Sequence, residues 1–189
     1  MSIYFDYAAT TPVRPEAAQA AYEALTGTFG NPSSGYALGR RAAAELKAHR
    51  AEVAHALGCA AGEVFFTSCG TEGDNWALRA AARMLRRRGN HIITTAVEHA
   101  AVLETARFLE GEGFRVTFLK PDKTGHIPAD DFRAALCPET ILASVMLVNN
   151  ETGAIFPVAQ CAKIAKAYRR DILFHTDAVQ GFCHLPFTP

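Results

Sequence analysis

The spacing of apolar residues changes part-way along the chain. From about residue 63 onward, short apolar or β-branched runs alternate with longer stretches in which apolar residues return every three or four positions. The short runs at 63–67, 91–95, 115–119, 141–148 and 172–176 predict strands, and 71–88, 100–111, 129–136 and 157–170 predict helices between them. Such alternation implies βαβ units with right-handed crossovers, hence a mostly parallel sheet covered by helices. The first sixty residues read differently. Two helical stretches, 15–25 and 34–57, lie among the polar turns Thr10-Thr11-Pro12 and Gly30-Asn31-Pro32-Ser33-Ser34. Pro15 suits an early helical position, and Gly58 closes the second helix.

Composition narrows the class. Hydrophobic residues make up 49% and charged residues 20% of 189 residues, the balance of a globular protein with a sizeable core. The formal net charge is zero, which argues against direct nucleic-acid binding. No apolar run reaches membrane-spanning length, and MSIYFDYAATTP lacks the form of a secretory signal. A cytoplasmic protein without a membrane partner is the expectation. Cys59, Cys69, Cys137, Cys161 and Cys183 are odd in number, widely spaced and without a CxxC pair, so neither a disulfide framework nor a metal site is expected. Arg86, Arg87 and Arg88 suit the solvated C-terminal end of a helix.

In open α/β sheets, ligands bind beyond the carboxyl ends of the strands. After 63–67 comes Ser68-Cys69-Gly70-Thr71-Glu72-Gly73 and a helix start. Free amides there suit a phosphate, and Thr71 adds a hydroxyl; equally, Ser68 or Thr71 can simply cap the helix. After 91–95 comes His99, able to stack on a flat ring or move protons, or to bond a backbone group at a helix start. After 141–148, Asn149 and Asn150 offer amides to a phenolic oxygen or a carboxylate, or close an Asx turn. After 172–176, Asp177 has no neighbouring arginine in sequence, and Gln180 follows it. A protonated ring nitrogen is one partner for such an acid; a helix cap or an ordinary ion pair is the alternative. Together these are parts that grip a flat phosphorylated cofactor. No GxGxxG run follows a strand, which argues against a dinucleotide.

The runs YFDYAATTPVRPE (4–16), FGNPSSGYALGR (29–40), FFTSCGTEGDNWAL (65–78), VEHAAVL (97–103), VNNETGAI (148–155) and HTDAVQ (175–180) resemble the NifS/IscS-type cysteine desulfurases, a branch of the class-V aminotransferases among the fold type I pyridoxal 5'-phosphate (PLP) enzymes. The resemblance implies a three-layer α/β/α large domain with a mostly parallel sheet, here truncated. Residues 1–15 would lie near a small domain and the active-site entrance, and 16–189 would form part of the PLP-binding domain. It implies PLP as cofactor, with Gly70 and Thr71 on its phosphate. His99 would be the catalytic residue, stacked on the ring. Asn150 would lie near the cofactor oxygen and the substrate, Asp177 on the ring nitrogen, and Gln180 on the phenolic oxygen. Asn31 would border the substrate. The implied reaction takes L-cysteine to L-alanine and an enzyme-bound persulfide. Sulfur would then pass to an iron–sulfur scaffold or a tRNA-modifying enzyme, and a homodimer or a complementing chain is expected.

The sequence departs from the pattern in two main ways. It reaches Pro189 before any Ser-x-His-Lys motif, and Lys120, Lys123, Lys163 and Lys166 lie outside such a motif. The persulfide cysteine of the family lies further on, and Cys183 does not match it. The chain alone is therefore expected to be inactive and to expose apolar surface. Cys69 stands where many members have glycine, and Thr152 and Val179 also differ from frequent choices. Selenocysteine lyase, another class-V aminotransferase acting on serine, phosphoserine or kynurenine, or a non-catalytic interaction module are the alternatives.

Overall fold

The computed structural model describes residues 3–187. Met1 and Ser2 of the 1–15 segment, and Thr188 and Pro189 of the 16–189 segment, lie outside the described residues. The chain forms two compact units, one of residues 3–66 with 185–187, the other of residues 67–184.

In the first unit, α1 (Pro15–Gly27) opens with proline at its start. It buries none of its residues, and Leu25 and Tyr22 are exposed. α2 (Ala37–Leu57) ends at Gly58, whose φ of 72° is the left-handed conformation that a glycine adopts without a Cβ penalty. The predicted strand at 63–67 does not form. Glu63 Oε2 instead accepts from the Ala60 amide at 2.7 Å, a local bond that winds Ala61–Glu63 into a short 3-10 turn. Arg50 Nε donates to the Val64 carbonyl at 3.2 Å, and of this apolar run Val64 is buried while Phe65 and Phe66 remain exposed.

The second unit is the alternating α/β region. It runs α3 (Gly70–Leu85), β1 (His91–Thr95), α4 (Ala100–Gly111), β2 (Arg115–Leu119), α5 (Ala129–Ala135), β3 (Thr140–Ser144), α6 (Val158–Tyr168) and β4 (Leu173–His175). The strands form one parallel sheet in the order β2-β1-β3-β4. Side chains alternate across it. Ile92 and Leu142 pack with Leu78, Ala82, Val102 and Leu109 from α3 and α4, while Ile93 and Ala143 pack with Phe132, Cys161 and Ile164 from α5 and α6. Helices on both faces give the three-layer α/β/α arrangement that the pattern of short buried strands predicts.

The strand at 141–148 is shorter than expected. Its ladder with β1 ends at Ala143, because the Met146 amide donates to the Glu98 carboxylate at 2.9 Å rather than to a backbone carbonyl of β1. Residues 145–148 still follow the β4 side, with Val145 N donating to His175 O at 3.1 Å and Leu147 N to Asp177 O at 2.8 Å. They then turn back through a bridge between Val148 and Ile155. At the opposite end of the sheet, buried His91 is braced by Thr140 at 2.7 Å and Thr117 at 2.8 Å. Burial pushes its pKa down to about 4, so it is neutral and structural near pH 7.

Candidate functional site at the carboxyl ends of the strands

The chain leaves β1 through α4 to reach β2 on one side, and returns through α5 to β3 on the other. β1 and β3 therefore flank a topological switch point, where open parallel sheets form a ligand crevice. The segments that follow β1, β3 and β4 meet there. Asn149 Nδ2 donates to the Val97 carbonyl at 2.9 Å, Met146 N to Glu98 Oε1, and Leu147 N to Asp177 O. The start of α3 joins the same rim. A Cβ added at Gly70 would stand 3.0 Å from Val179 Cγ2, so any larger residue would crowd the turn after Asp177. Asn75 of α3 also reaches the Ala101 carbonyl of α4 at 3.4 Å.

The helix start at Gly70 carries no side-chain cap. Cys69 is the N-cap residue in an extended conformation. Ser68 turns away from the helix amides and donates through both its N–H (2.6 Å) and its hydroxyl (2.7 Å) to Glu72. Those two bonds hold the Glu72 carboxyl below its usual pKa. Capping by Ser68 is thus set aside; the Cys69 thiol, a weak acceptor, lies beside the Glu72 and Thr71 amides, and the first turn keeps its capacity for a stronger anion. The nearby Glu72 amide first, and the Ser68 hydroxyl at 3.8 Å after it, lower the pKa of the exposed Cys69 thiol. Buried Cys161 is pushed up to about 11. Iodoacetamide at pH 7.5 should therefore alkylate Cys69 in the native protein and reach Cys161 only on unfolding. Inorganic phosphate should slow the labelling of Cys69. Peptide mapping by mass spectrometry reads both results.

His99 is the N-cap of α4, and its Nδ1 accepts from the Ala101 amide at 3.1 Å. The neutral ring consequently carries its proton on Nε2. This is the helix-start histidine bonded to backbone that the sequence offered as an alternative, and it leaves the other ring nitrogen and the ring face for a ligand. The two asparagines divide their roles. Asn149 forms the Asx turn, its Oδ1 accepting from the Glu151 amide (3.1 Å) and from the Thr152 amide (2.9 Å) and hydroxyl (3.0 Å). Asn150 is half-buried and donates to its neighbour Glu151 at 2.7 Å. Asp177 is buried, its Oδ1 accepts from the Val179 amide at 2.9 Å, and among the described residues it forms no ion pair. Gln180 lies in the turn that follows. Asn31 belongs to the first unit, where its Oδ1 accepts from the Ser33 amide at 2.9 Å in a local turn.

Three features of the rim were not assigned from sequence. Glu98 is 5% exposed, and its Oε1 accepts from Thr95 Oγ1 at 2.8 Å as well as from Met146 N. Burial raises its pKa to about 7, and the charges of Asp177 and Asp74 add to the rise. Secondly, Asp74 of α3 pairs with His175 of β4 at 3.3 Å, and His175 Nδ1 meets Ser144 Oγ at 2.8 Å. This Ser–His–Asp order is not a nucleophilic triad, because Ser144 is 1% exposed and no substrate carbonyl can reach it. Thirdly, Thr176 Oγ1 and Glu98 Oε2 are buried without a hydrogen-bond partner. In sequence the only signal for these groups was polar residues at the ends of apolar strands, which does not separate a ligand contact from a brace. Among the described residues no group of three or more His, Cys, Asp or Glu side chains is gathered as a metal site would need. No helix among them is long and apolar enough to cross a membrane.

The family model described as aminotransferase class-V matches residues 3–188. The chain belongs to the class-V aminotransferase family. Among curated relatives of this class-V chain, cysteine desulfurase IscS of Methanosarcina thermophila is 46% identical over 185 residues, 98% of this chain and 45% of that protein. Among solved structures, a NifS-like protein superposes with a TM-score of 0.96 at 37% identity, over 100% of this chain and 52% of that one. SspA in complex with cysteine superposes with a TM-score of 0.90 at 37% identity, over 96% and 52%. The chain thus spans about half the length of the relatives it matches, and its α/β fold matches the NifS-like structure over its whole length.

Proposed function

We propose that this chain is the cofactor-binding portion of a PLP-dependent cysteine desulfurase. The complete protein would convert L-cysteine to L-alanine and move the sulfur to a persulfide, then to an iron–sulfur scaffold or a tRNA-modifying enzyme. One observation supports this most. Asp177 is a buried acid without a cationic side-chain partner among the described residues, on the same rim as a helix start whose amides lack a side-chain cap. A negative phosphate and a protonated ring nitrogen are complementary to those two features. The unpartnered oxygens of Thr176 and Glu98 and the close approach at Gly70 also fit a ligand with polar edges.

In this reading the Gly70 and Thr71 amides and the Thr71 hydroxyl hold the phosphate, aided by the partial positive charge of the α3 N-terminus. Asp177 keeps the ring nitrogen protonated, its position set by the Val179 amide. Gln180 and Asn150 orient the ring through its phenolic oxygen. His99 covers the ring and moves a proton through Nε2, because Nδ1 is committed to Ala101. Asn31 borders the substrate. When bound, the cofactor supplies an electron-withdrawing ring to the bonds of the substrate Cα. No Ser-x-His-Lys run occurs in the 189 residues, so the lysine and the persulfide cysteine would come from beyond them. SspA, a structural neighbour, is seen with cysteine, which favours L-cysteine as substrate here. A cytoplasmic homodimer is part of the same proposal.

The test uses the full-length protein, reconstituted with PLP and given L-cysteine, L-selenocysteine or L-serine. The expected result is alanine and reducible sulfur in equal amounts from L-cysteine. Turnover of selenocysteine alone would assign a lyase instead. Failure to take up PLP would overturn the proposal.

A further inference from the structure

Glu98 is a buried acid that the assignment above leaves without a role. It precedes His99 in the chain and sits where the β1 and β3 segments separate. Its Oε1 takes two donors, the Thr95 hydroxyl on β1 and the Met146 amide past β3. Its Oε2 is buried and has no partner. The charged groups that face it are Asp177, in the segment after β4, and Asp74 of α3. Asp74 is itself engaged by His175 of β4. His99 at the start of α4 is turned to the Ala101 amide through Nδ1. Residues 144–149, along β3 and its extension, contain no titratable side chain. An ionised Glu98 would thus be a dry charge beside two others of the same sign, with one oxygen lacking any donor. Burial without a counter-charge disfavours that form strongly, whereas a neutral acid in the same place leaves at most one unmade hydrogen bond.

We infer that Glu98 is a positioning residue: as a neutral carboxylic acid it ties the segment carrying His99 to the extension of β3, and it leaves Asp177 as the acid available to a ligand cation. The role toward Asp177 rests on the PLP reading, while the tie itself does not. Asn149 makes a parallel tie from the same extension to Val97, but only the Glu98 tie carries a group whose charge changes with pH. Its folded pKa of about 7 exceeds the ordinary carboxyl value of 4.5. The folded state therefore binds more protons than the unfolded state between those values. Stability declines as pH rises through this window, and the contribution from Glu98 is gone above about 7. Deprotonation also places a second negative charge near Asp177, while the Thr95 and Met146 donors stay paired with Oε1.

The experiment compares wild type, Glu98→Gln and Glu98→Ala in the full-length protein. Glu98→Gln keeps an acceptor for Thr95 and Met146 without a charge. Infrared difference spectra of the apoprotein at pH 6 should show a protonated carboxyl band that Glu98→Gln removes. The wild-type Tm should fall between pH 5 and 7.5 by more than that of Glu98→Gln, so that the two curves separate as pH rises. With PLP added, the affinity of wild type should follow pH differently from that of Glu98→Gln, the two separating several-fold across the same range. Glu98→Ala should weaken PLP at all pH values or fail to fold, and the glutamine variant should restore both. Parallel Tm curves, or a carboxyl band unchanged by Glu98→Gln, would overturn the inference even if PLP binds normally. Absence of PLP binding, with the infrared and Tm results as expected, would instead sink the functional reading and leave the neutral tie standing.

Discussion

Phe132→Ala should destabilise the protein by about 3–5 kcal/mol, the usual range for removing a fully buried aromatic side chain. Phe132 is 0% exposed and is the sole buried residue of α5, a helix of seven residues. A helix this short has no stability of its own and persists through packing. Its anchor is the Phe132 ring, set edge-on to Phe174 of β4 with centroids 6.1 Å apart. Ile127 and Leu136, at either end of the helix, join the same cluster. Alanine would leave a cavity that Ile164 and Phe174 cannot close without moving α6 or β4. Thermal unfolding by circular dichroism should show Tm lowered by on the order of 10 °C, since about 1 kcal/mol moves Tm by a few degrees in a domain of this size. Phe132→Leu, which keeps most of the volume, should lose much less. Equal losses from both variants would show that the ring is not the anchor.

Asp177→Asn should weaken PLP binding by roughly 10- to 100-fold while leaving the fold intact. The side chains have the same shape, and asparagine Oδ1 can still accept from the Val179 amide, so the turn after β4 persists. What is lost is the charge that faces a protonated ring nitrogen. Hydrogen bonds to a charged group contribute about 1.5–3 kcal/mol, and each 1.4 kcal/mol is about tenfold in affinity. Burial strengthens the effect, because a buried acid is poorly screened by solvent. Fluorescence titration of the full-length apoprotein with PLP measures the loss, and a Tm close to wild type shows that folding is unaffected. An unchanged dissociation constant would remove Asp177 from the cofactor site.

The helical periodicity was legible in detail. The stretch predicted at 100–111 forms as Ala100–Gly111, and that at 129–136 as Ala129–Ala135, because each shows one apolar stripe to the sheet. The parallel α/β class followed from strand and helix alternation. One expected strand does not form and another is shorter than expected, for reasons outside the local sequence. At 63–67 the hydrogen bond within Ala60–Glu63 replaces strand pairing, and the two phenylalanines that look like core are exposed. At 141–148 the strand stops early because a carboxylate from the β1 segment takes the Met146 amide.

The site divides in the same way. Residue types suited to a phosphorylated ring could be read after each strand, since a sheet of parallel strands brings its carboxyl ends to one side whatever the intervening helices contain. The sequence by itself determined that side, the family, and the candidates Gly70, Thr71, His99, Asn150, Asp177 and Gln180. Only the tertiary structure decided which polar groups are already committed. It gave the Asx turn to Asn149, turned Ser68 toward Glu72, fixed the proton of neutral His99 on Nε2, and buried Glu98 beside Asp177. The physical reason is that hydrogen-bond direction and desolvation depend on neighbours tens of residues away, such as Met146 for Glu98. Periodicity along the chain carries no information about those distances.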